Sequence, residues 1–292
     1  MKDRVSSDFG RVWALRFLLC FLTVAPSIAQ TAAAPEWPQT EARLIQLLSG
    51  NIEQKRTALA EIRNLRSVAA SRLAVPALAE GDELVRATAA TSVVFLPASD
   101  ARSVLLPLLD DKKPFVRREA AYSLGLVEDW GATNRLRRLL INDRDLEVRA
   151  AAAIAIGNIG DPSAIEDLLK TLDKRPKEDE EFLRRSAARA IGQIFELRAR
   201  GSTQTLTPQN FLPPKYKEFG QASTASDPVD AKLLQTAMLS LSKVLRNSNE
   251  ADDTRREAAF ALGALRQPAS AALLRGYLSS TDPYLVEISK EA

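Results

Sequence analysis

A run of eighteen residues, Asp143 to Gly160, constrains this chain more than any other feature, because its pattern recurs along most of the sequence. Aligned on a Val-Arg pair, the pattern returns at Val85-Arg86, Val116-Arg117, Val148-Arg149, Leu183-Arg184 and Thr254-Arg255. The steps are 31, 32 and 35 residues, then 71, about two periods across an inserted stretch. Weaker copies place Lys55 31 residues before Arg86 and Val286 31 residues after Arg255, which makes seven units. Eight residues after the Arg, four copies carry glycine: Gly125, Gly157, Gly192 and Gly263. Glycine inside a helix costs about 1 kcal/mol relative to alanine, so its recurrence points to close helix approach. Paired alanines and then Leu or Ile fall between Arg and Gly, giving apolar positions at +4, +5, +8 and +11 from the Val, one face of a helix. A second apolar-periodic segment precedes each copy, from Leu44–Leu48 in the first to Leu273–Leu278 in the last. Each unit is therefore an αα-hairpin that cannot bury its apolar stripes alone, and the chain is predicted to be an all-α stack.

The signature Asp…Val-Arg-x-x-Ala-Ala-x-x-Leu-Gly resembles HEAT repeats, most closely the phycobilisome-lyase-type HEAT-like subfamily, from about residue 41 to the end apart from one insertion. The resemblance implies a right-handed α-solenoid with units at about 41–66, 67–97, 98–129, 130–161, 162–198, 230–267 and 268–292. It also implies a ladder between neighbouring repeats, built from an acid in each inner turn and the Arg six residues later. Asp111 with Arg117 and Asp143 with Arg149 fit it fully. Glu80 before Arg86, Glu178 before Arg184 and Asn249 before Arg255 fit more loosely. Ser49 with Lys55 and Ser280 with Val286 predict a ladder intact in the middle and eroded at both ends. Pro76 and Pro107 occupy the place of the family's kinking proline.

Residues 1–29 lie outside the repeats. Lys2, Arg4, Arg11 and Arg16 precede the apolar run Phe17 to Ala25, and Ser27-Ile28-Ala29 has the small residues of a signal-peptidase site. This predicts a secretory signal cleaved after Ala29, then a flexible leader over 30–40, and hence an exported protein, periplasmic or secreted, in a bacterium. The apolar run is shorter than the span of about 20 residues a membrane helix needs. Cys20, preceded by Leu19 rather than a small residue, leaves with the signal, so the mature chain has no cysteine and no disulfide. Residues 1–29 hold four basic and two acidic side chains of the chain's 40 and 37, leaving 36 against 35. A nearly neutral chain argues against nucleic acid as a partner, since phosphate neutralisation dominates that affinity. The cluster Arg135, Arg137 and Arg138 is correspondingly read as a solvated helix face.

The chain has no histidine, which removes Ser-His-Asp catalysis, most zinc sites and the facial iron triad. HEAT-repeat enzymes such as deoxyhypusine hydroxylase hold iron through His-Glu motifs, and this chain has no such ligand to match. The acids Glu178 to Glu181 lack Ca²⁺-loop spacing and suit the start of a helix. No cofactor is expected. What remains is a surface: the second-helix (concave) face, where the +6 and +10 columns vary most. From these columns come the candidate partner-binding residues Tyr122, Leu126, Asn158, Arg189, Gln193 and Phe260. The insertion 199–229 adds Phe211, Tyr216 and Phe219, aromatic residues in an otherwise polar, proline-punctuated stretch. The expected function is a monomeric, exported, non-enzymatic scaffold for a protein or extended peptide. The alternative implied by the resemblance is a lyase-type HEAT-like enzyme or accessory subunit, a bilin lyase or an oxidoreductase.

Overall fold

A computed structural model describes residues 37–200 and 231–291, and Glu41–Ala292 forms the body described below. Fourteen α-helices and no strand occur among the described residues. They pair as α1 (Trp37–Leu48) with α2 (Ile52–Leu65), α3 (Val68–Ala74) with α4 (Glu83–Ser92), and α5 (Ala98–Leu105) with α6 (Pro114–Val127). The series continues with α7 (Thr133–Asn142) and α8 (Leu146–Ile159), α9 (Ile165–Asp173) and α10 (Glu181–Arg200), α11 (Ala231–Arg246) and α12 (Asp252–Ala264), and α13 (Pro268–Arg275) and α14 (Pro283–Glu291). This is the all-α solenoid the periodicity predicts. Two boundaries differ: α1 begins at Trp37, inside the segment expected as leader, and α10 runs to Arg200, into the expected insertion. The predicted signal at 1–29 and Phe211, Tyr216 and Phe219 lie outside the described residues.

Local chemistry sets the helix ends. Asp82 and Asp145 each accept two backbone N–H bonds at the starts of α4 and α8, and Asn51 with Gln54 forms a reciprocal capping box on α2. Gly160 ends α8 in the left-handed region at φ 75°, donating its N–H to the Ile156 carbonyl. Pro76 and Pro107 stand where α3 and α5 tighten into one short 3₁₀ turn each, Val75–Ala79 and Leu106–Asp110, because proline has no N–H to continue the α pattern.

The second helices α2, α4, α6, α8, α10, α12 and α14 pack against one another in unbroken series, while the first helices touch one another more sparsely. Leu59, Leu124, Ile156 and Leu183 on the second helices and Leu44, Leu105, Leu136 and Leu168 on the first are fully buried. Each contributes roughly 1.5–3 kcal/mol of apolar transfer. α8 is buried almost all round, its Ala150 to Ala153 and Ala155 letting α6 and α10 close in from both sides. The helices meet most closely where the glycines sit. A Cβ on Gly125 would lie 2.7 Å from the Ala155 Cα, and one on Gly157 2.8 Å from the Ala190 Cα. The small residue seven places after each Val is thus matched to the glycine of the unit before it. In the second unit that place is Ser92, whose hydroxyl donates to the Leu59 carbonyl of the first unit at 2.8 Å.

Candidate partner-binding face

The ladder residues show how the repeats are joined. Arg86 donates from Nε and Nη2 to the Asp111 carboxylate at 2.8 and 3.0 Å, and Arg117 does the same to Asp143 at 2.7 and 2.8 Å. In each, Nη1 donates to the backbone carbonyl of the acid position in its own unit, Glu80 or Asp111. The carboxylate therefore comes from the following repeat. Lys55 starts the series on Glu80 at 2.6 Å.

Further along, the structure corrects the register read from spacing. Glu178 is exposed, within a 3₁₀ turn that leads into α10, and pairs with no Arg among the described residues. Arg149 receives no carboxylate from the next unit among the described residues; its Nε donates to the Leu140 carbonyl at 2.8 Å. Glu250, not Asn249, is the acid that follows α11, and it pairs with Arg184 at 2.6 and 2.8 Å. Arg255 donates to the Leu245 carbonyl and to Asp252 of its own helix, while its neighbour Arg256 reaches Asp282 at 2.9 Å. The ladder is thus interrupted in the middle and carried on at the C-terminal end, the reverse of the expected erosion. Counting six residues back from Arg184 fails because the fifth turn is longer.

The four carboxylates Asp111, Asp143, Asp167 and Asp282 are held below their ordinary range. For the first three, burial pushes the carboxyl up, but hydrogen bonds from Arg86, Arg117, or Lys170 with Arg137, together with other nearby donors and cations, outweigh it. For Asp282 the Arg256 hydrogen bond leads. A carboxyl depressed in the folded state contributes stability that is complete above the unfolded value, about 3.9, and is lost as pH falls through the lower folded value. Urea midpoints should therefore fall below about pH 4 for this reason, and Asp143→Asn should flatten that acid limb while lowering the neutral-pH midpoint.

Three of the predicted face residues are half-buried beside the helix crossings. Asn158, Gln193 and Phe260 lie against Gly125, Gly157 and Gly192 of the preceding repeats, where an added Cβ would meet their side chains. Tyr122 is half-buried, with burial raising its phenol, and Leu126 is 66% exposed. Arg189 is exposed and pairs with Glu257 of the next unit at 2.8 Å.

Arg189 belongs to a stripe that spacing did not single out. One residue before the Val position of the third to seventh units stand Phe115, Glu147, Phe182, Asp253 and Tyr284, and three residues after the two phenylalanines stand Arg118 and Arg185. The Arg118 guanidinium covers Phe115 at 5.0 Å and pairs with Glu147 of the next unit; Arg185 covers Phe182 at 5.2 Å and pairs with Asp253 at 2.8 Å. Arg256 covers Tyr284 of the following unit at 4.9 Å. Between α8, α10 and α12 the stripe deepens into an open cleft of about 340 Å³, lined by Ile154, Phe182, Arg185, Ser186, Arg189, Asp253 and Glu257. That size lies at the lower end of the range for ligand clefts. An exposed aromatic three residues ahead of an Arg was the available signal. The basic cluster on α7 is ion-paired, Arg135 with Asp110 and Arg137 with Asp167 at 2.6 Å.

Comparison with known proteins follows the same repeats. The family model for HEAT repeats matches residues 41–125, 103–192 and 133–208, and that for the PBS lyase HEAT-like repeat matches 254–280. Deoxyhypusine hydroxylase of Arabidopsis thaliana is 30% identical over 129 residues, 43% of this chain and 41% of that protein. Epoxyqueuosine reductase of Bacillus subtilis is 41% identical over 68 residues, 23% of this chain and 17% of that protein. The chain therefore spans less than half the length of either curated relative. Among solved structures, the phycocyanin lyase complex of Nostoc sp. superposes with a TM-score of 0.46 at 22% identity, covering 85% of this chain and 91% of that one. Human deoxyhypusine hydroxylase gives a TM-score of 0.35 at 18% identity, covering 87% and 94%.

Proposed function

The chain belongs to the HEAT-repeat family, and from that premise we propose that it is an exported, non-enzymatic scaffold binding a protein partner as an extended peptide across its second-helix face. The observation that carries this reading is the cleft between α8, α10 and α12, where the Phe182 ring, two Arg side chains and two carboxylates line one open groove. Arg and aromatic residues are the usual anchors of protein interfaces. Their ion pairs hold the guanidinium groups in place before a partner arrives, which lowers the ordering cost of binding. The absence of histidine supports a binding role over His-dependent catalysis. Export rests on the basic, apolar and small-residue order of residues 1–29. Among the described residues no helix is long and apolar enough to cross a membrane.

The test is cross-linking of the tagged chain in its native cell, with Tyr122→Ala, Phe182→Ala and Arg189→Ala variants. An envelope protein captured by the native chain should be lost to roughly 30-fold or more with Phe182→Ala or Arg189→Ala, the effect of removing about 2 kcal/mol of anchor. Far-UV circular dichroism should not change. Capture that persists in all three variants removes the face from the proposal, and an uncleaved chain in the cytosol removes export. A second reading, an enzyme or accessory subunit, is favoured by the hydroxylase, reductase and lyase among the similar proteins. Chromophore or cofactor absorbance on protein purified from the native host would select it.

A further inference from the structure

We propose that the break in the ladder between the fourth and fifth units is a binding position for a carboxylate side chain of an acidic peptide segment. In the second, third and fourth units the residue that ends the first helix supplies the ladder carboxylate: Glu80, Asp111 and Asp143 do so with φ/ψ of −64°/153°, −58°/141° and −65°/141°. In the fifth unit the residue at that place, with φ/ψ of −67°/153°, is Lys174. Its equivalence does not rest on backbone angles alone. Arg184 Nη1 donates to the Lys174 carbonyl at 3.0 Å, as Arg86 does to Glu80 and Arg117 to Asp111. The ladder thus reverses charge at one position: the fifth unit carries a lysine where the second, third and fourth carry an acid, while Arg117 and Arg184 on either side of Arg149 each meet an anion.

Arg149 has adjusted accordingly. Arg86, Arg117 and Arg184 spend Nε and Nη2 on the carboxylate of the following unit, whereas Arg149 turns Nε to the Leu140 carbonyl. Among the described residues its two terminal nitrogens take no acceptor, leaving a fork matched to one carboxylate. Lys174, Arg175 and Arg144, all exposed on the same turns, make no ion pair among the described residues either. A guest carboxylate bridging Arg149 and Lys174 completes the ladder. A polyanion suits the position less well, because Asp145 lies beside Arg144 and the run Glu178 to Glu181 follows the turn. This edge is separate from the second-helix cleft and stands without it.

The experiment measures anisotropy of a fluorescein-labelled Ser-Glu-Ser-Glu-Ser peptide, with its glutamine counterpart and oligothymidylate as controls, on the full chain. Arg149→Gln and Lys174→Asp should each weaken binding by about tenfold. Lys174→Asp should also raise the melting temperature by about 2 °C, because its own carboxylate then occupies the fork. A gain in thermal stability together with lost binding separates occupancy of the site from unfolding. The proposal fails if the glutamine peptide binds equally, if Lys174→Asp leaves binding and melting unchanged, or if oligothymidylate displaces the peptide more effectively than unlabelled peptide does.

Discussion

Glu250→Ala should lower the unfolding free energy by about 3–5 kcal/mol, the cost of stripping one partner from a buried ion pair. Arg184 and Glu250 have side chains only 2% and 1% exposed, so water cannot replace the lost partner. The guanidinium is otherwise fully engaged: Nη1 donates to the Thr171 and Lys174 carbonyls, and Nη2 to Leu172 as well as to Glu250. It therefore closes the C-terminal end of α9, whose last carbonyls have no helical partner, and cannot turn away when the carboxylate is gone. Arg184→Met should cost a similar amount for a different reason, leaving those carbonyls and the Glu250 charge together without donors. The double variant Arg184→Met/Glu250→Leu should lose less than the sum, because it leaves no isolated charge. Urea unfolding followed by circular dichroism measures all three.

The shape of that transition carries a second outcome. A solenoid's stability is close to a sum of unit and interface contributions, so weakening one interface lets the stack unfold in parts. Arg184 and Glu250 lie 66 residues apart, joining the units on either side of the insertion. Glu250→Ala should accordingly split one urea transition into two, the earlier one reporting α11 to α14. A single unchanged transition would mean that the apolar contact between α10 and α12 alone holds the two parts together.

The same pair shows what could be read from the sequence and what could not. The period, the helix pairs, the glycine positions and the general form of the ladder follow from local pattern, because each unit repeats one solution to the same packing problem. Glu250 and Lys174 do not. Counting back from the Arg assumes a turn of constant length, and the turn before α10 is longer, so Glu178 was assigned a place that belongs to Lys174. The ladder residue is fixed by how the chain turns after the first helix, at the helix end for Lys174 and four residues beyond it for Glu250, a three-dimensional fact. Variability at +6 and +10 points to recognition, while Asn158, Gln193 and Phe260 each also sit over a neighbour's glycine, a packing contact that pattern alone does not reveal. The Arg-aromatic stripe lies at the turn end of the second helices, where Phe115 and Phe182 are covered by an Arg one helical turn on, a pairing that the helix-face period does not mark.

The glycines lead to the second large effect. Gly157→Val should destabilise the chain by about 3 kcal/mol, toward the upper end of what overpacking costs. Its first added atom would stand 2.8 Å from the Ala190 Cα and 2.5 Å from Gln193 Oε1. The glutamine can swing aside, but Ala190 belongs to the backbone of α10, so two helices must separate along their whole contact. Gly157→Ala brings the same first atom, offset in part by the roughly 1 kcal/mol that alanine gains in a helix, and should lose less. Gly192→Ala should be milder again, since the nearest atoms are the Phe260 ring at 2.5 Å, with the Ala261 Cα at 3.0 Å. Gly81→Ala serves as the reference: no atom lies within 4 Å of the added Cβ and its backbone is not left-handed, so stability should hold or rise by about 0.4–1 kcal/mol. The order Gly157→Val, Gly157→Ala, Gly192→Ala, Gly81→Ala in urea midpoint tests whether backbone contact between second helices sets the spacing of the stack. If Gly157→Val instead unfolds like Gly81→Ala, the helices have slack at their closest point, and the recurring glycine needs another cause.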